Sequence, residues 1–364
     1  MKTFLQPLQN LAEMEELQKL AGKNRGVIAV SGCMESQKAH LMYGLSGLFP
    51  CHLILSEDER SAKQIYEDYR FYDRDVLYYP ARDLLFFQAD IHGNLIIRQR
   101  MQVIKALLTR EEVTVVTSVD GCMDFLGSLE NIKKQLICFR NDSALDLDKL
   151  KDSLVQMGYE RVGQVEMPGQ FSIRGGIVDI YALTEENPWR IELWGDEIDS
   201  IRSFDAQRQR SLENLEEIVI YPAAEQQAEN SGITFPDYFP ADKTLIFLDE
   251  PNRLVENALA VEEEFSQSCR NREEKGTANI SRGWMCGWND LQKKLNRRNC
   301  KSFSSLEPKK TGWDLTGNFN LTVKSMNSYQ SSFELLVKDL KQYKKSGYQT
   351  VLMSGSRTRA ERLA

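Results

Sequence analysis

Short apolar runs that alternate with helix-length segments are the feature that most restricts how this chain can fold. Runs rich in Val, Ile and Leu occur at residues 26–31, 52–56, 76–79 and 113–117. They are separated by segments with helical patterning at residues 36–48, 57–71 and 94–108. Such alternation is typical of a parallel sheet whose faces are covered by helices. We therefore predict an α/β domain built on a parallel sheet.

The pattern changes after a predicted helix at residues 146–157. Four short strands follow at 171–174, 177–181, 190–194 and 198–204. Gly195–Asp196 has the length of a two-residue hairpin link, and Gly175–Gly176 is interpreted as a β-bulge within a strand. Because the α/β pattern returns at 244–250 (TLIFLDE), we predict that a small α+β unit is inserted into the first domain.

With 364 residues, the chain exceeds what one hydrophobic core usually supports. We predict three parts: residues 1–137, the inserted unit at 138–226, and residues 227–364, which return to the first domain. Residues 266–310 are expected to be polar and irregular. The last predicted elements are strands at 321–323 and 350–354, a helix at 331–343, and a helix that opens at 357 and stops after two turns. That last feature leads us to expect a fragment of a longer protein.

Composition excludes several classes of function. Seven scattered cysteines without a CxxC pair fit neither a zinc site nor a disulfide framework, so we expect no metal and a reducing cytoplasm. Three histidines leave few ways to assemble a hydrolytic triad. A net charge of −7 argues against broad nucleic-acid binding. No run approaches the ~18 apolar residues of a membrane span, so no membrane partner is expected.

A degenerate phosphate loop follows the first predicted strand. The motif G-x-x-x-x-G-K-[ST] needs its second glycine to wrap the phosphates and its hydroxyl to hold magnesium. Gly32 and Lys38 are kept, but Gln37 replaces the glycine and Ala39 replaces the hydroxyl residue. Glu35 adds negative charge where phosphate would lie. We therefore predict a P-loop scaffold that binds no nucleotide; alternatively, Lys38 is simply a solvated lysine at the start of a helix.

An acidic pair, Asp249 and Glu250, ends the predicted strand at 244–250. RecA-type ATPases carry their magnesium and water carboxylates at this position. The pair could instead belong to a helix N-terminus that continues with Pro251. We interpret it as a remnant of an ATPase fold that now serves structure.

Several long motifs carry a family resemblance. Residues 158–161 (GYER), 168–181 (PGQFSIRGGIVDIY) and 190–205 (RIELWGDEIDSIRSFD) resemble the UvrA-binding domain shared by UvrB and the transcription-repair coupling factor (Mfd) family. The resemblance continues through residues 94–100, 116–125 and 354–364. UvrB has an intact P-loop and a long DNA-clamping hairpin after the segment that matches Tyr78–Pro80. Here only residues 81–93 separate that proline from the next helix, so the chain is more similar to the N-terminal, UvrB-like module of the second family.

The resemblance implies a non-catalytic adaptor that docks UvrA and recruits nucleotide excision repair to stalled RNA polymerase. The resemblance implies that Arg174, Arg190 and Trp194 match family positions that contact UvrA. The third position is usually aromatic in the family, and here Trp stands in place of Phe. Strand alternation agrees, since Arg190 and Trp194 face away from Ile191. The arginines could instead pair with neighbouring carboxylates such as Glu192 or Asp205.

The resemblance also implies that ATP, magnesium, DNA and RNA polymerase are bound by motor and contact domains beyond this chain. The alternative function is a UvrB-like, ATP-dependent DNA helicase with a tolerant P-loop. A basic cluster could contact a DNA backbone, although a solvated helix face is the simpler interpretation; it comprises Lys293, Lys294, Arg297, Arg298 and Lys301. Trp284 and Trp288 are expected to pack a local helix against the core.

Overall fold

The computed structural model describes residues 2–9, 11–22, 25–82, 91–223, 228–276, 281–307, 311–321, 323, 326–329, 332–352, 354 and 356–363. It divides into two compact units, Met1–Leu321 and Thr322–Ala364. Within the described residues, no helix combines the length and the apolar character needed to cross a membrane.

The elements of the first part of the larger unit alternate as the sequence predicts. In chain order they are α1 (Lys2–Gln9), α2 (Ala12–Ala21), β1 (Gly26–Ser31), α3 (Glu35–Leu45), β2 (Cys51–Ser56), α4 (Glu59–Tyr69), β3 (Leu77–Tyr79), α5 (Ile91–Thr109), β4 (Val113–Ser118), α6 (Val119–Met123) and α7 (Leu129–Gln135). The four predicted strands and three predicted helices of this part are confirmed, with ends that shift by a few residues.

A second group of elements is mostly antiparallel. It comprises β5 (Ile137–Arg140), α8 (Leu147–Gln156), β6 (Glu160–Arg161), β7 (Gln170–Arg174), β8 (Ile177–Ile180), β9 (Trp189–Trp194), β10 (Glu197–Asp205), β11 (Arg210–Leu215) and β12 (Glu217–Ile220). Strands β6 to β11 form a six-stranded sheet in sequence order, while β5 and β12 form a separate pair. The predicted link at Gly195–Asp196 is a hairpin turn, since Trp194 pairs with Glu197.

The chain then returns to the first sheet. The remaining elements are β13 (Thr244–Asp249), α9 (Pro251–Glu274), α10 (Trp288–Asn296), β14 (Asn299–Phe303) and β15 (Leu315–Asn320) in the larger unit, and α11 (Phe333–Lys345) and α12 (Arg357–Leu363) in the smaller one. Short 3₁₀ helices lie at Ser46–Leu48, Phe235–Tyr238 and Arg282–Trp284.

The central sheet is parallel throughout and has the strand order β15-β1-β14-β13-β2-β4-β3. Its faces bury different apolar clusters: Leu53 and Val115 belong to one, and Ile54, Val116 and Phe247 belong to the other. Strands β13 and β14 lie between β1 and β2 in the sheet. In sequence, the whole antiparallel group comes after β1 and β2 and before β13 and β14. The predicted α/β class and the inserted smaller unit are therefore confirmed.

Three local predictions are wrong. Gly175–Gly176 is a two-residue hairpin turn rather than a bulge, because Arg174 pairs directly with Ile177 and Gly175 adopts φ +58°. Much of the segment 266–310 is regular: α9 continues to Glu274, and α10 and β14 follow. The strand expected at 321–323 lies earlier, at β15, and the described residues of 350–354 form no strand.

Candidate functional site

The solvent face of the six-stranded sheet carries the predicted docking residues. Residues paired across adjacent strands point to the same face. Arg174 pairs with Ile177, and Asp179 pairs with Arg190. On β9, Ile191 is buried on the opposite face, so Arg190 and Trp194 share the solvent face. We refer to Arg174, Arg190 and Trp194 below as the docking face.

A single buried carboxylate binds both arginines of the docking face. Arg190 donates from Nε to Asp179 Oδ1 at 2.7 Å and from Nη2 to Oδ2 at 2.9 Å. Arg174 donates from Nη2 to the same Oδ2 at 2.9 Å. The Asp179 side chain is 1% exposed, whereas those of Arg174 and Arg190 are 50% and 17% exposed. Two guanidinium groups therefore share one negative charge, and an excess of positive charge reaches the surface.

Further contacts hold Arg190 in this orientation. Its Nη2 also donates to Gln209 Oε1 at 2.9 Å, and its guanidinium lies 4.4 Å from the centre of the Phe204 ring. Its hydrogen bonds to Asp179 raise the pKa of the guanidinium above its usual value. The charge of Arg190 is thus fixed in place before any partner arrives.

Trp194 lies at the end of β9, next to a turn in which Gly195 adopts φ +65°. The residue is 84% exposed, which is unusual for a large aromatic side chain. Strand geometry places its Cα about 13 Å from that of Arg190, four residues away. The docking face thus combines an aromatic anchor with a pair of arginines, and both residue types are enriched at energetic hot spots of protein interfaces.

The acidic partner of the arginines differs from the two candidates considered from the sequence. Glu192 is paired with Arg202 and accepts a hydrogen bond from Ser200 Oγ at 3.3 Å. Asp205 accepts from the backbone N–H groups of residues 207 and 208 in its own turn. Asp179 was missed, although an acidic residue between Val178 and Ile180 in an otherwise apolar strand was a usable signal.

The degenerate phosphate loop forms a second constellation, at the carboxyl end of β1. Gly32 adopts φ +76°, and a Cβ atom built on it would lie 2.2 Å from the carbonyl oxygen of Leu321. A glycine is therefore required here by the chain that passes beside it, whether or not phosphate binds. Gln37 is partly buried and Ala39 is buried on α3, and neither supplies the missing motif function.

Lys38 is fully buried and surrounded by carboxylates. Its Nζ donates to Glu35 Oε1 at 2.9 Å, to Asp249 Oδ1 at 2.8 Å and to Glu250 Oε1 at 2.8 Å. Asp249 also accepts from Ser56 Oγ at 2.9 Å. An ammonium group has three N–H donors, and here each has a carboxylate acceptor. We refer to Lys38, Glu35, Asp249 and Glu250 as the lysine cluster.

The pKa shifts in the lysine cluster follow from burial and charge. Burial alone would lower the pKa of Lys38, but Asp249 and the hydrogen bonds to all three carboxylates raise it. Burial raises the pKa of Asp249 despite the nearby ammonium. Burial acts in the same direction on Glu250, yet hydrogen bonds from Lys38 and Ser305 lower its pKa overall. The ammonium group therefore stays charged.

The lysine cluster places net negative charge at the phosphate loop. Three carboxylates around one ammonium leave an excess of negative charge where a P-loop would present N–H donors and a cation to phosphate. The strand-end acids and the motif lysine thus meet as the sequence suggests, but they bind one another.

The predicted basic cluster does not form one surface. Lys293 and Arg297 are exposed on α10 and its C-cap, whereas Lys301 is fully buried in β14. Lys294 forms an ion pair with Asp237, and Arg298 donates to the carbonyl oxygen of residue 239 at 2.6 Å. The interpretation as a single helix face is therefore wrong for Lys301, because that residue belongs to the central sheet.

The two tryptophans near the basic cluster are less exposed than stacking on bases would require. Trp288 begins α10 and is 1% exposed, with its ring centre 5.7 Å from that of Trp313. Trp284 is half-buried against Phe265 and Cys269. Trp288 therefore packs its helix against the core, as expected.

Comparison with known proteins shows which family model the segment containing the antiparallel sheet matches, and which proteins are similar to the chain. The family model of the UvrB interaction domain matches residues 137–225, which include the whole docking face. The transcription-repair-coupling factor of Bacillus subtilis is 37% identical over 211 residues, or 54% of this chain and 18% of that protein. The corresponding Staphylococcus aureus protein is 36% identical over 157 residues, or 43% of this chain and 13% of its own.

UvrABC system protein B of Thermotoga petrophila is 32% identical over 189 residues, which is 48% of this chain and 28% of that protein. Each match spans less than a third of the relative's own length. The predicted resemblance to the domain shared by UvrB and the coupling factors is confirmed by these matches.

Proposed function

We propose that this chain is a protein-docking module that binds UvrA through the docking face and takes part in DNA repair in the cytoplasm. In a longer protein of the coupling-factor kind, it would recruit nucleotide excision repair to stalled RNA polymerase. ATP, magnesium and DNA would then be handled by motor domains outside this chain, which itself would be non-catalytic.

The observation that carries the proposal is the arrangement of Arg174, Arg190 and Trp194 on a sheet matched by the UvrB interaction domain. An aromatic side chain that is 84% exposed lies on the same face as two guanidinium groups that share one carboxylate, that of Arg174 half exposed and that of Arg190 17% exposed. This combination suits a protein partner that offers an apolar pocket and acidic groups. The whole chain carries a net charge of −7, so the positive charge of these arginines is opposite in sign to that of the chain as a whole.

The lysine cluster supports the non-catalytic part of the proposal. A working P-loop needs its lysine free to contact the β- and γ-phosphates. Here the Lys38 ammonium is bound by Glu35, Asp249 and Glu250, so phosphate would have to displace or approach three carboxylates. A helicase driven by this site is correspondingly disfavoured.

The proposal is tested by titrating purified UvrA with the chain and with its Arg174→Glu and Arg190→Glu variants. We expect each reversal to weaken binding at least about 100-fold, because it places a carboxylate against acidic groups of the partner. Arg140→Glu is the matched control, since Arg140 is an exposed arginine on the separate β5–β12 pair. Full UvrA affinity in both docking-face variants, with thermal unfolding unchanged, would refute the proposed interface.

A further inference from the structure

Asp179 is buried beneath the docking face and accepts every hydrogen bond that connects the two arginines. It is 1% exposed, so a partner on the surface would not contact it. Its two oxygens accept three hydrogen bonds, two from Arg190 and one from Arg174. A buried carboxylate is stable only when it is paired and hydrogen-bonded, and these arginines supply that pairing.

Building on the proposed docking function, we propose that Asp179 is the positioning residue of the docking face, which orients Arg174 and Arg190 for acidic groups of UvrA. Asp179 binds one side of each guanidinium: Nε and Nη2 of Arg190, and Nη2 of Arg174. An arginine carries five N–H donors in a planar fork, so both side chains keep donors for a partner.

Such positioning raises affinity by lowering the cost of association. A free arginine side chain loses rotamer freedom when it is fixed at an interface. Contacts with Asp179, Gln209 and the Phe204 ring already restrict Arg190 in the unbound chain. The Arg190 side chain is therefore already partly ordered in the unbound chain, so it loses less rotamer freedom on binding.

Charge and positioning predict opposite results for Asp179→Asn. The substitution removes a negative charge from beneath a positive face, so simple attraction to an acidic partner would strengthen binding. Loss of the bidentate acceptor instead frees Arg190 and weakens binding. We expect UvrA affinity to fall about tenfold, which corresponds to the cost of ordering one or two arginine side chains. Unchanged or tighter binding would overturn the positioning role.

Two further variants separate positioning from general damage. Gln209→Ala removes the secondary acceptor of Arg190, together with the local hydrogen bond from Gln209 Nε2 to the Ala206 carbonyl oxygen. We expect a smaller loss of UvrA affinity, about threefold, with the fold retained. Glu217→Gln is the matched control, because Glu217 pairs with Arg140 on the other sheet and its loss should leave UvrA affinity unchanged. Equal losses in Asp179→Asn and Glu217→Gln would contradict the proposal.

A double-mutant cycle tests whether Asp179 acts through its neighbour. If it does, Asp179→Asn combined with Arg190→Ala will bind UvrA little more weakly than Arg190→Ala alone, since only the path through Arg174 remains. If the loss of UvrA affinity in the double variant equals the product of the two single fold losses, Asp179 acts independently of Arg190 and the proposal fails.

The free chain provides a readout that needs no UvrA. The Nε–H resonance of Arg190 should be resolved and protected from exchange in ¹⁵N NMR spectra of the wild type and averaged in Asp179→Asn. An unchanged resonance would overturn the positioning role even if UvrA binds. Absence of UvrA binding by the wild type would instead overturn the proposed function, and the NMR result would still decide what Asp179 does.

Discussion

The lysine cluster and the docking face are built from the same chemical groups but present opposite surfaces. In the lysine cluster, one ammonium is enclosed by three carboxylates and is 0% exposed. On the docking face, two guanidinium groups share the one carboxylate of Asp179, and the Arg174 side chain is half exposed. The first arrangement has more carboxylates than cations, whereas the second has more cations than carboxylates.

This difference indicates how a cation becomes available to a partner. A charge that is fully compensated and buried contributes to the fold, and exchanging its partners for a ligand would be costly. A charge that is positioned but only partly compensated keeps donors for another molecule. The charge of Lys38 in the phosphate loop is thus fully compensated and buried, whereas the charges of Arg174 and Arg190 on the docking face are only partly compensated.

The largest expected effect comes from breaking the lysine cluster. Lys38→Met leaves Asp249 and Glu250 buried without their shared cation, so we expect the free energy of unfolding to fall by about 3–5 kcal/mol. Denaturant unfolding followed by circular dichroism measures this change. Lys293→Met is the matched control: its ion pair with Asp290 is exposed and should contribute less than about 1 kcal/mol. Similar losses in the two variants would contradict the structural role of the cluster.

A second buried lysine sharpens the comparison, because no carboxylate in the described part of the chain is a hydrogen-bond partner of Lys301. Its Nζ donates to Asn299 Oδ1 and to the Cys300 carbonyl oxygen. Burial lowers its pKa from 10.5 to about 8, against a smaller opposing effect of Cys300. Between these two values the unfolded chain holds a proton that the folded chain has released. This group's contribution to stability therefore rises with pH across that window.

Lys301→Met should remove that pH dependence. At pH 7 the variant lacks a buried uncompensated charge, so we expect it to be more stable than the wild type. Its advantage should shrink by up to about 3 kcal/mol as pH rises from 8 towards 10.5. Denaturant unfolding at several pH values gives the difference, and a constant difference over this range would count against the inferred protonation change.

The sequence predicted the fold well where burial and hydrophobicity coincide. Strands β1, β2 and β4 are buried along their whole length, and their Val, Ile and Leu residues make them recognisable. Strand β14 is equally buried but contains Asn299, Lys301 and Ser302. It is buried because β1 and β13 enclose it on both sides, which no local pattern could indicate.

In the candidate sites too, single residues could be recognised from the local sequence, whereas some of their contacts depend on how distant segments pair. The motif lysine and the strand-end acids could be recognised separately, and their contact follows from where parallel strands end. Asp179 could be connected with Arg174 and Arg190 only through the register of β7, β8 and β9. That register is set by turns and cross-strand pairing, so the sequence indicated the arginines without the residue that holds them.

Truncating the aromatic anchor should affect binding without affecting the fold. Trp194→Ala removes an exposed indole, so the free energy of unfolding should change by less than about 0.5 kcal/mol. UvrA affinity should fall about 30-fold, or about 2 kcal/mol, as is usual for a tryptophan hot spot. Calorimetric titration with UvrA measures this. Leu212→Ala, an exposed apolar truncation on β11 of the same sheet, should change neither quantity. Equal UvrA affinity in the Trp194 and Leu212 variants would remove the indole from the interface.

The smallest effect is expected from repairing the phosphate-loop motif itself. Gln37→Gly combined with Ala39→Ser restores the two lost motif residues but leaves Glu35, Asp249 and Glu250 bound to Lys38. Because the ammonium group remains occupied and the cluster keeps its excess negative charge, we expect no gain in affinity for a fluorescent ATP analogue with magnesium. If the repaired chain bound ATP with micromolar affinity, and Lys38→Ala abolished that binding, the motif residues alone would have kept nucleotide out. In that case the excess of carboxylates in the lysine cluster would not be the reason that the phosphate loop binds no nucleotide.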